Sequence, residues 1–262
     1  MTTFAVVHGA GGSAWEWHLV GDELAARGHR MVAVDLPCED ESAGLAEHAD
    51  AVVTAIREAD GAAGGPVVLV AHSLGGFVAP LVAARTPVRR LVLVSAMVPA
   101  PGETAGEWWE TSGYRAAARE RDASRQDSNV PGDNPGVQDS TGRQDGTADE
   151  AAHDPDAELV ALFMHDVDRE LAAEALRRSR DPAERLMSDP WPLPGWPDVP
   201  TSFLALGDDR VFPPSFLRAH ARERLGVTAD EMPGSHCAYL SRPGELAERL
   251  VGYAALDRPS RR

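Results

Sequence analysis

Apolar positions along the chain alternate between two spacings. Phe4-Ala-Val-Val7 is a short β-branched run, and Leu19 to Arg27, closed by Gly28, follows with the spacing of a helix. Met31-Val-Ala-Val-Asp-Leu36 repeats the strand pattern, after which Leu45, Ala49, Val52 and Ile56 share one helix face ahead of the apolar run Val67-Val-Leu-Val70. Phe77 to Ala84 reads as helix, Leu91-Val-Leu-Val-Ser95 as strand, Phe203-Leu-Ala-Leu206 as strand and Phe216 to Leu225 as helix. Leu246, Leu250 and Tyr253 mark the inner face of a last helix. Continuous Val/Leu runs are strands buried on both faces, and the helices between them supply the cover. The pattern therefore predicts an α/β fold, a mostly parallel sheet with helices on both faces.

The alternation breaks between residues 98 and 197. From Arg115 to Glu158 there is no aromatic, Leu, Ile or Met, and Val130 and Val137 are the only branched aliphatics. Such a segment has little apolar area to bury, and its near-echoes Arg125-Gln-Asp-Ser128 and Arg143-Gln-Asp-Gly146 add polar low complexity; 121–156 is expected to stay disordered. Trp108-Trp109, Phe163-Met164 and the helical Leu171 to Leu176 carry enough apolar surface to order around it. Residues 98–197 are thus read as a cap inserted into a core made of 1–97 and 198–262.

Composition narrows the function without choosing it. At 262 residues and 43% hydrophobic, the chain suits one large domain. Its formal charge of -16, with no cluster of basic residues, disfavours nucleic acid and anionic membrane surfaces as partners. The first residues lack the basic start and apolar run of a secretory signal, and no stretch is long enough to span a bilayer, so a soluble, cytoplasmic chain is expected. Two cysteines, Cys38 and Cys237, build neither a disulfide framework nor a cysteine zinc site.

The chemistry concentrates in four places. Val67-Val-Leu-Val-Ala-His-Ser73-Leu-Gly-Gly76 is a strand running into a tight turn and then a helix, the context of a nucleophile elbow that lifts a serine hydroxyl above a sheet, with Ala71 where a glycine is common. Read without chemistry, the same residues are a Ser-Leu-Gly helix start. A serine hydroxyl needs a base, and the base needs a carboxylate to orient it. His236, in Met232-Pro-Gly-Ser-His-Cys237, lies on a loop between a strand and the last helix, where that base should come. His8 and His72 sit within motifs and are read as loop-holding; His165 and His220 fall on or near helices. For the acid, Asp208 and Asp209 both follow the strand Ser202-Phe-Leu-Ala-Leu-Gly207, and the Asp-Arg-x-Phe-x-Pro spacing favours Asp209. The glycine-rich turn His8-Gly-Ala-Gly-Gly12, followed by Trp15-Glu-Trp17, can aim a backbone N–H at an oxyanion. It does not give the G-x-G-x-x-G dinucleotide spacing, nor the Lys-Ser/Thr of a phosphate loop.

With these four pieces the chain resembles the α/β-hydrolase superfamily, most closely the branch of small-molecule esterases that includes plant methyl-ester esterases and hydroxynitrile lyases, together with bacterial serine esterases. The likeness covers residues 4–100 and 160–256 and is carried by His8-Gly-Ala, Trp15-x-Trp17, Ala-His-Ser73-Leu-Gly-Gly, Asp209-Arg-Val-Phe-Pro-Pro-Ser-Phe216 and Gly-Ser-His236. The resemblance implies Ser73, His236 and Asp209 as a catalytic triad and the backbone N–H groups of Ala10 and Leu74 as the oxyanion hole. Lyases of this branch carry Thr after the first-strand His and Lys after the catalytic His; Gly9 and Cys237 stand there instead and favour an esterase. The implied reaction is hydrolysis of a small-molecule ester by water through an acyl-enzyme, with no metal and no organic cofactor. Lactone opening or C–C bond hydrolysis on the same triad, and a non-catalytic small-molecule receptor on the same scaffold, remain alternatives. All six tryptophans lie in the first loop or the insertion, which points to an apolar ester; Trp15, Trp108, Trp109, Phe163, Met164 and Phe212 are the candidate substrate contacts.

Overall fold

Five of the apolar runs and one short polar segment pair into a single sheet. The computed structural model describes residues 1–63, 65–127 and 154–256. In chain order the elements are β1 (Thr3–Val7), a 3-10 turn (Ala14–Trp17), α1 (His18–Ala26), β2 (Arg30–Ala33), α2 (Leu45–Ala63), β3 (Val67–His72), α3 (Gly75–Arg85) and β4 (Arg90–Val94). Then follow α4 (Ala105–Thr111), α5 (Tyr114–Asp127), α6 (Pro155–Phe163), α7 (Arg169–Arg177) and α8 (Glu184–Ser188). Last come β5 (Thr201–Leu206), α9 (Pro214–Leu225), β6 (Asp230–Met232), α10 (Ala238–Ser241) and α11 (Pro243–Ala255). The strand order is β2-β1-β3-β4-β5-β6, with every neighbouring pair parallel.

Successive residues of a strand leave the sheet on opposite faces, and both faces are buried. Ala5 and Val7, Leu69 and Ala71, Leu91 and Leu93, and Phe203 and Ala205 face one core with α2, α3 and α9. Phe4 and Val6, Val68 and Val70, Val92 and Val94, and Leu204 and Leu206 face the other with α1, α10 and α11. This is why the strands read as unbroken apolar runs. Because β2 lies on one side of β1 and β3 on the other, the chain reverses its direction of travel between β1 and β3. A crevice opens at the carboxyl ends of such a pair.

Two expectations are corrected. The second strand ends at Ala33 rather than Leu36, because the following residues bond sideways: the Asp35 carboxylate accepts from Ala14 N at 2.8 Å, and Leu36 N donates to His8 Nε2 at 3.1 Å. Of the stretch expected to be disordered, residues 121–127 continue α5, where the Arg121 guanidinium donates to the Arg210 carbonyl at 2.7 Å, and 154–156 begin α6 under an Asp154 cap. The anchoring is polar, which a count of apolar residues misses. The remainder, 128–153, lies outside the described residues.

Candidate active site

The crevice between the ends of β1 and β3 carries the elbow. Ser73 follows β3 with φ 51, a left-handed conformation that costs a non-glycine residue roughly 1–2 kcal/mol. Hydrogen bonds from both sides impose it: the Ser73 carbonyl accepts from Gly76 N at 3.1 Å and Met97 N at 2.9 Å. The turn is this tight because the next residues nearly touch neighbouring backbone. A Cβ on Gly75 would stand 2.9 Å from the His8 carbonyl oxygen, and one on Gly76 would overlap the Met97 carbonyl. Glycine at 75 and 76 is therefore what lets α3 start directly beneath the serine.

His236 and Asp209 meet from the other side of the crevice. The His236 Nδ1–H donates to Asp209 Oδ2 at 2.8 Å, with both side chains buried. A carboxylate only accepts, so this contact fixes the proton on Nδ1 and leaves Nε2 as the basic nitrogen. The other carboxylate oxygen, Oδ1, accepts from Val211 N at 2.8 Å and Phe212 N at 2.9 Å, which locks the Asp209 side chain. Asp208 faces elsewhere: its Oδ2 accepts from Gly234 N at 2.8 Å, stapling the β5 end to the histidine loop. The loop has further supports. The His236 carbonyl accepts from His72 Nε2 at 3.0 Å, Cys237 N donates to the Phe163 carbonyl at 3.1 Å, and Ser235 N donates to the Asp166 carboxylate at 3.0 Å. Burial, with His236 adjacent, holds His72 well below the usual histidine range, so it acts as a neutral donor.

The glycine-rich turn after β1 borders the serine, since a Cβ on Gly9 would lie 3.0 Å from Ser73 Cβ and 3.5 Å from its hydroxyl. Ala10, in that turn, and Leu74, immediately after Ser73, both line the cavity. Among the described residues, neither N–H is used in a turn or loop backbone hydrogen bond. Sequence reasoning missed what holds this turn. Arg180, in the segment between α7 and α8, donates from its backbone N to the Gly11 carbonyl at 2.9 Å, from Nε to the Gly12 carbonyl at 3.0 Å and from Nη1 to the Leu36 carbonyl at 2.9 Å. Its Nη2 meets the Gly12 carbonyl and His8 Nε2. His8 in turn donates from Nδ1 to the Gly9 carbonyl at 2.9 Å, and burial, with Arg180 adding to it, lowers its pKa to about 4. No local motif announces an arginine so far along the chain.

A cavity of about 390 Å³ joins these groups. Of the expected substrate contacts, Trp109, Phe163, Met164 and Phe212 line it. Two do not. Trp108 is fully buried, donating from Nε1 to the Val98 carbonyl at 3.1 Å and packing on Phe212, Phe216 and His220. One residue along a helix turns the side chain by about 100°, so neighbours in α4 face the core and the cavity in turn. Trp15 stacks on His18 with its ring centroid 4.8 Å away, beneath the Arg178 guanidinium, and does not line the cavity. Its neighbour Glu16 does, a residue the sequence reading passed over. Cys237 lines it as a buried thiol whose pKa burial pushes up, so it is no thiolate.

The chain belongs to the alpha/beta hydrolase family, whose sequence profile matches residues 4–249. A probable esterase, PIR7A, of Oryza sativa subsp. indica is 38% identical over 112 residues, which is 39% of this chain and 42% of that protein. Methyl jasmonate esterase 1 of Vitis vinifera is 34% identical over 107 residues, 37% of this chain and 40% of that one. The matched segments span about two-fifths of these curated relatives. Among solved structures, an extracellular alpha/beta-hydrolase from a Paenibacillus species shares the fold with a TM-score of 0.71 at 21% identity, covering 98% of this chain and 100% of that one. Polyneuridine aldehyde esterase does so with a TM-score of 0.70 at 19% identity, covering 97% and 99%. Among the described residues no helix is long and apolar enough to cross a membrane.

Proposed function

We propose that this chain hydrolyses a small-molecule carboxylic ester through a serine acyl-enzyme. The observation that carries the reading is the buried His236–Asp209 pair, 2.8 Å apart, whose His236 lines the same cavity as a serine held at φ 51 at the head of a helix. His236 Nε2 takes the Ser73 hydroxyl proton as Oγ attacks the ester carbonyl; Asp209 holds the tautomer and stabilises the imidazolium that forms. The N–H groups of Ala10 and Leu74 receive the oxyanion, helped by the positive end of α3. Collapse of the tetrahedral intermediate returns the proton to the leaving alcohol. Water, deprotonated by the same His236, then attacks the acyl-enzyme and releases the acid.

The wall of Trp109, Phe163, Met164 and Phe212 suits an apolar acyl or alcohol group of modest size. Esterase and methylesterase relatives agree with this class of substrate. The test is a panel of esters, lactones and diketones graded by acyl and alcohol size, run on wild type and Ser73→Ala. Ester turnover that vanishes in the variant supports the proposal; turnover confined to lactones or diketones, or none at all, contradicts it.

A further inference from the structure

The polar side chains lining the cavity are almost all committed. The Arg180 guanidinium is spent on the Gly12 and Leu36 carbonyls and His8, the His72 Nε2–H on the His236 carbonyl, and the Tyr239 hydroxyl is shared between Cys237 Sγ, 3.2 Å away, and the Glu16 carboxyl. Ser179 and Asp181 are exposed at the rim. Glu16 differs. It comes from the 3-10 turn after the glycine-rich loop and is half-buried, and its carboxyl lies against the turn that carries Ala10: a Cβ on Gly12 would stand 2.6 Å from Oε2. The Ser13 backbone and the Tyr239 hydroxyl each engage it, and an ionised carboxylate has about four acceptor sites, so capacity remains toward the cavity.

Resting on the esterase reading above, we infer that Glu16 sets substrate choice, and that the favoured esters carry a hydrogen-bond donor, a hydroxyl or a protonated amine, within reach of its carboxyl. A carboxyl with spare acceptor capacity in a cavity whose other polar groups are committed or at the rim is left poorly solvated by a hydrocarbon substrate and is matched by a donor. A site built to bond such a group discriminates strongly against the analogue that lacks it. The carboxyl sits beside the oxyanion turn, so the donor is to be sought a few atoms from the scissile carbonyl.

The charge state fits this role. Burial pushes the Glu16 carboxyl up to about 7, against the lowering effects of the Ser13 backbone, Tyr239, Arg180 and His236, with Cys237 next in the wall. Near neutral pH the group is therefore part anion and part acid. It accepts from a hydroxyl in the first form and attracts an ammonium most strongly there, so discrimination should sharpen as pH rises through that range.

The test compares kcat/KM for matched pairs of esters differing only in a short-chain hydroxyl or amino substituent against methyl, in wild type, Glu16→Gln and Glu16→Ala. Wild type should prefer the donor-bearing ester by tenfold or more. Glu16→Ala should bring the ratio to within about twofold of unity, while Glu16→Gln, which keeps an acceptor oxygen but no charge, should retain preference for the hydroxyl and lose it for the amine. A turn-forming role alone would lower stability and leave the ratio untouched. An unchanged ratio in Glu16→Ala, or no preference in a wild type that turns over simple esters, overturns the inference while the esterase reading stands. Absence of Ser73-dependent turnover on every ester overturns both.

Discussion

Asp209→Asn is the substitution whose consequence the geometry specifies most closely. An asparagine amide has one accepting and one donating end, and the site decides which end goes where. Val211 N and Phe212 N both donate to Oδ1, at 2.8 and 2.9 Å, so the amide oxygen must take that place; the NH2 then faces His236. A donor opposite Nδ1 forces the proton onto Nε2, and the nitrogen that should receive the serine proton already holds one. A wrongly protonated base of this kind costs roughly 10⁴-fold in turnover, about 5.5 kcal/mol of barrier. The fold should tolerate the change, because both backbone donors keep their acceptor, the amide NH2 still meets Nδ1 and volume is conserved. The assay is kcat/KM on an activated ester, with circular dichroism and melting temperature as controls, and Asp208→Asn alongside. The Asp208 variant should lose activity modestly, since its contact is to Gly234 N rather than to the base. A loss under tenfold in folded Asp209→Asn, or a greater loss in Asp208→Asn, would refute the assignment.

Further outcomes follow from the packing and the buried charges. Gly76→Ala drives a methyl into the Met97 carbonyl and to 3.2 Å from Ala96 Cβ; backbone yields poorly, so chemical denaturation should show a loss of about 2–3 kcal/mol or more, and an unchanged midpoint would contradict the tight elbow. Trp108→Ala empties a fully buried site and should cost about 3–5 kcal/mol, whereas Trp109→Ala should cost less stability and chiefly raise KM; the reverse pattern would exchange their roles. Burial raises the Glu16 carboxyl from 4.5 to about 7, so the protonated form is favoured by folding. That stability is present below pH 4.5 and is lost as pH rises through 7, up to about 3 kcal/mol, less whatever solvent screening removes. Glu16→Gln should accordingly raise the melting temperature more at pH 8 than at pH 5, and an equal shift at both would show that the carboxyl is well solvated.

What could be read from the chain, and what could not, divides along physical lines. The tight strand-to-helix turn at Ser73 was legible because its parts are local: a buried strand, a serine and two glycines stand within ten positions. His236 stands out by its place before the last helix, but spacing alone favoured Asp209 over Asp208; the pairing itself, with Asp209 on His236 Nδ1 and Asp208 on Gly234 N, is a tertiary contact. Arg180 and Glu16 escaped notice because their roles are made by tertiary contact, Arg180 reaching a turn 168 residues away. The tryptophans misled for a related reason. Their number signals apolar area, but whether that area faces core or cavity depends on helix phase, which separates Trp108 from Trp109, and on neighbours such as Arg178 and His18 that cover Trp15. α5 was underestimated because it is held by groups such as the Arg121 guanidinium, and helical ends anchored by polar contacts leave no hydrophobic trace.

The proposed mechanism stands or falls on Ser73 as a nucleophile activated by His236. The most direct measurement is reaction of the purified chain with a fluorophosphonate probe, followed by mass-spectrometric mapping of the adduct. One adduct is expected, on the peptide containing Ser73, absent in Ser73→Ala and strongly slowed in His236→Ala. A labelled serine elsewhere, or no labelling of a folded chain under conditions that label a control serine esterase, would contradict it.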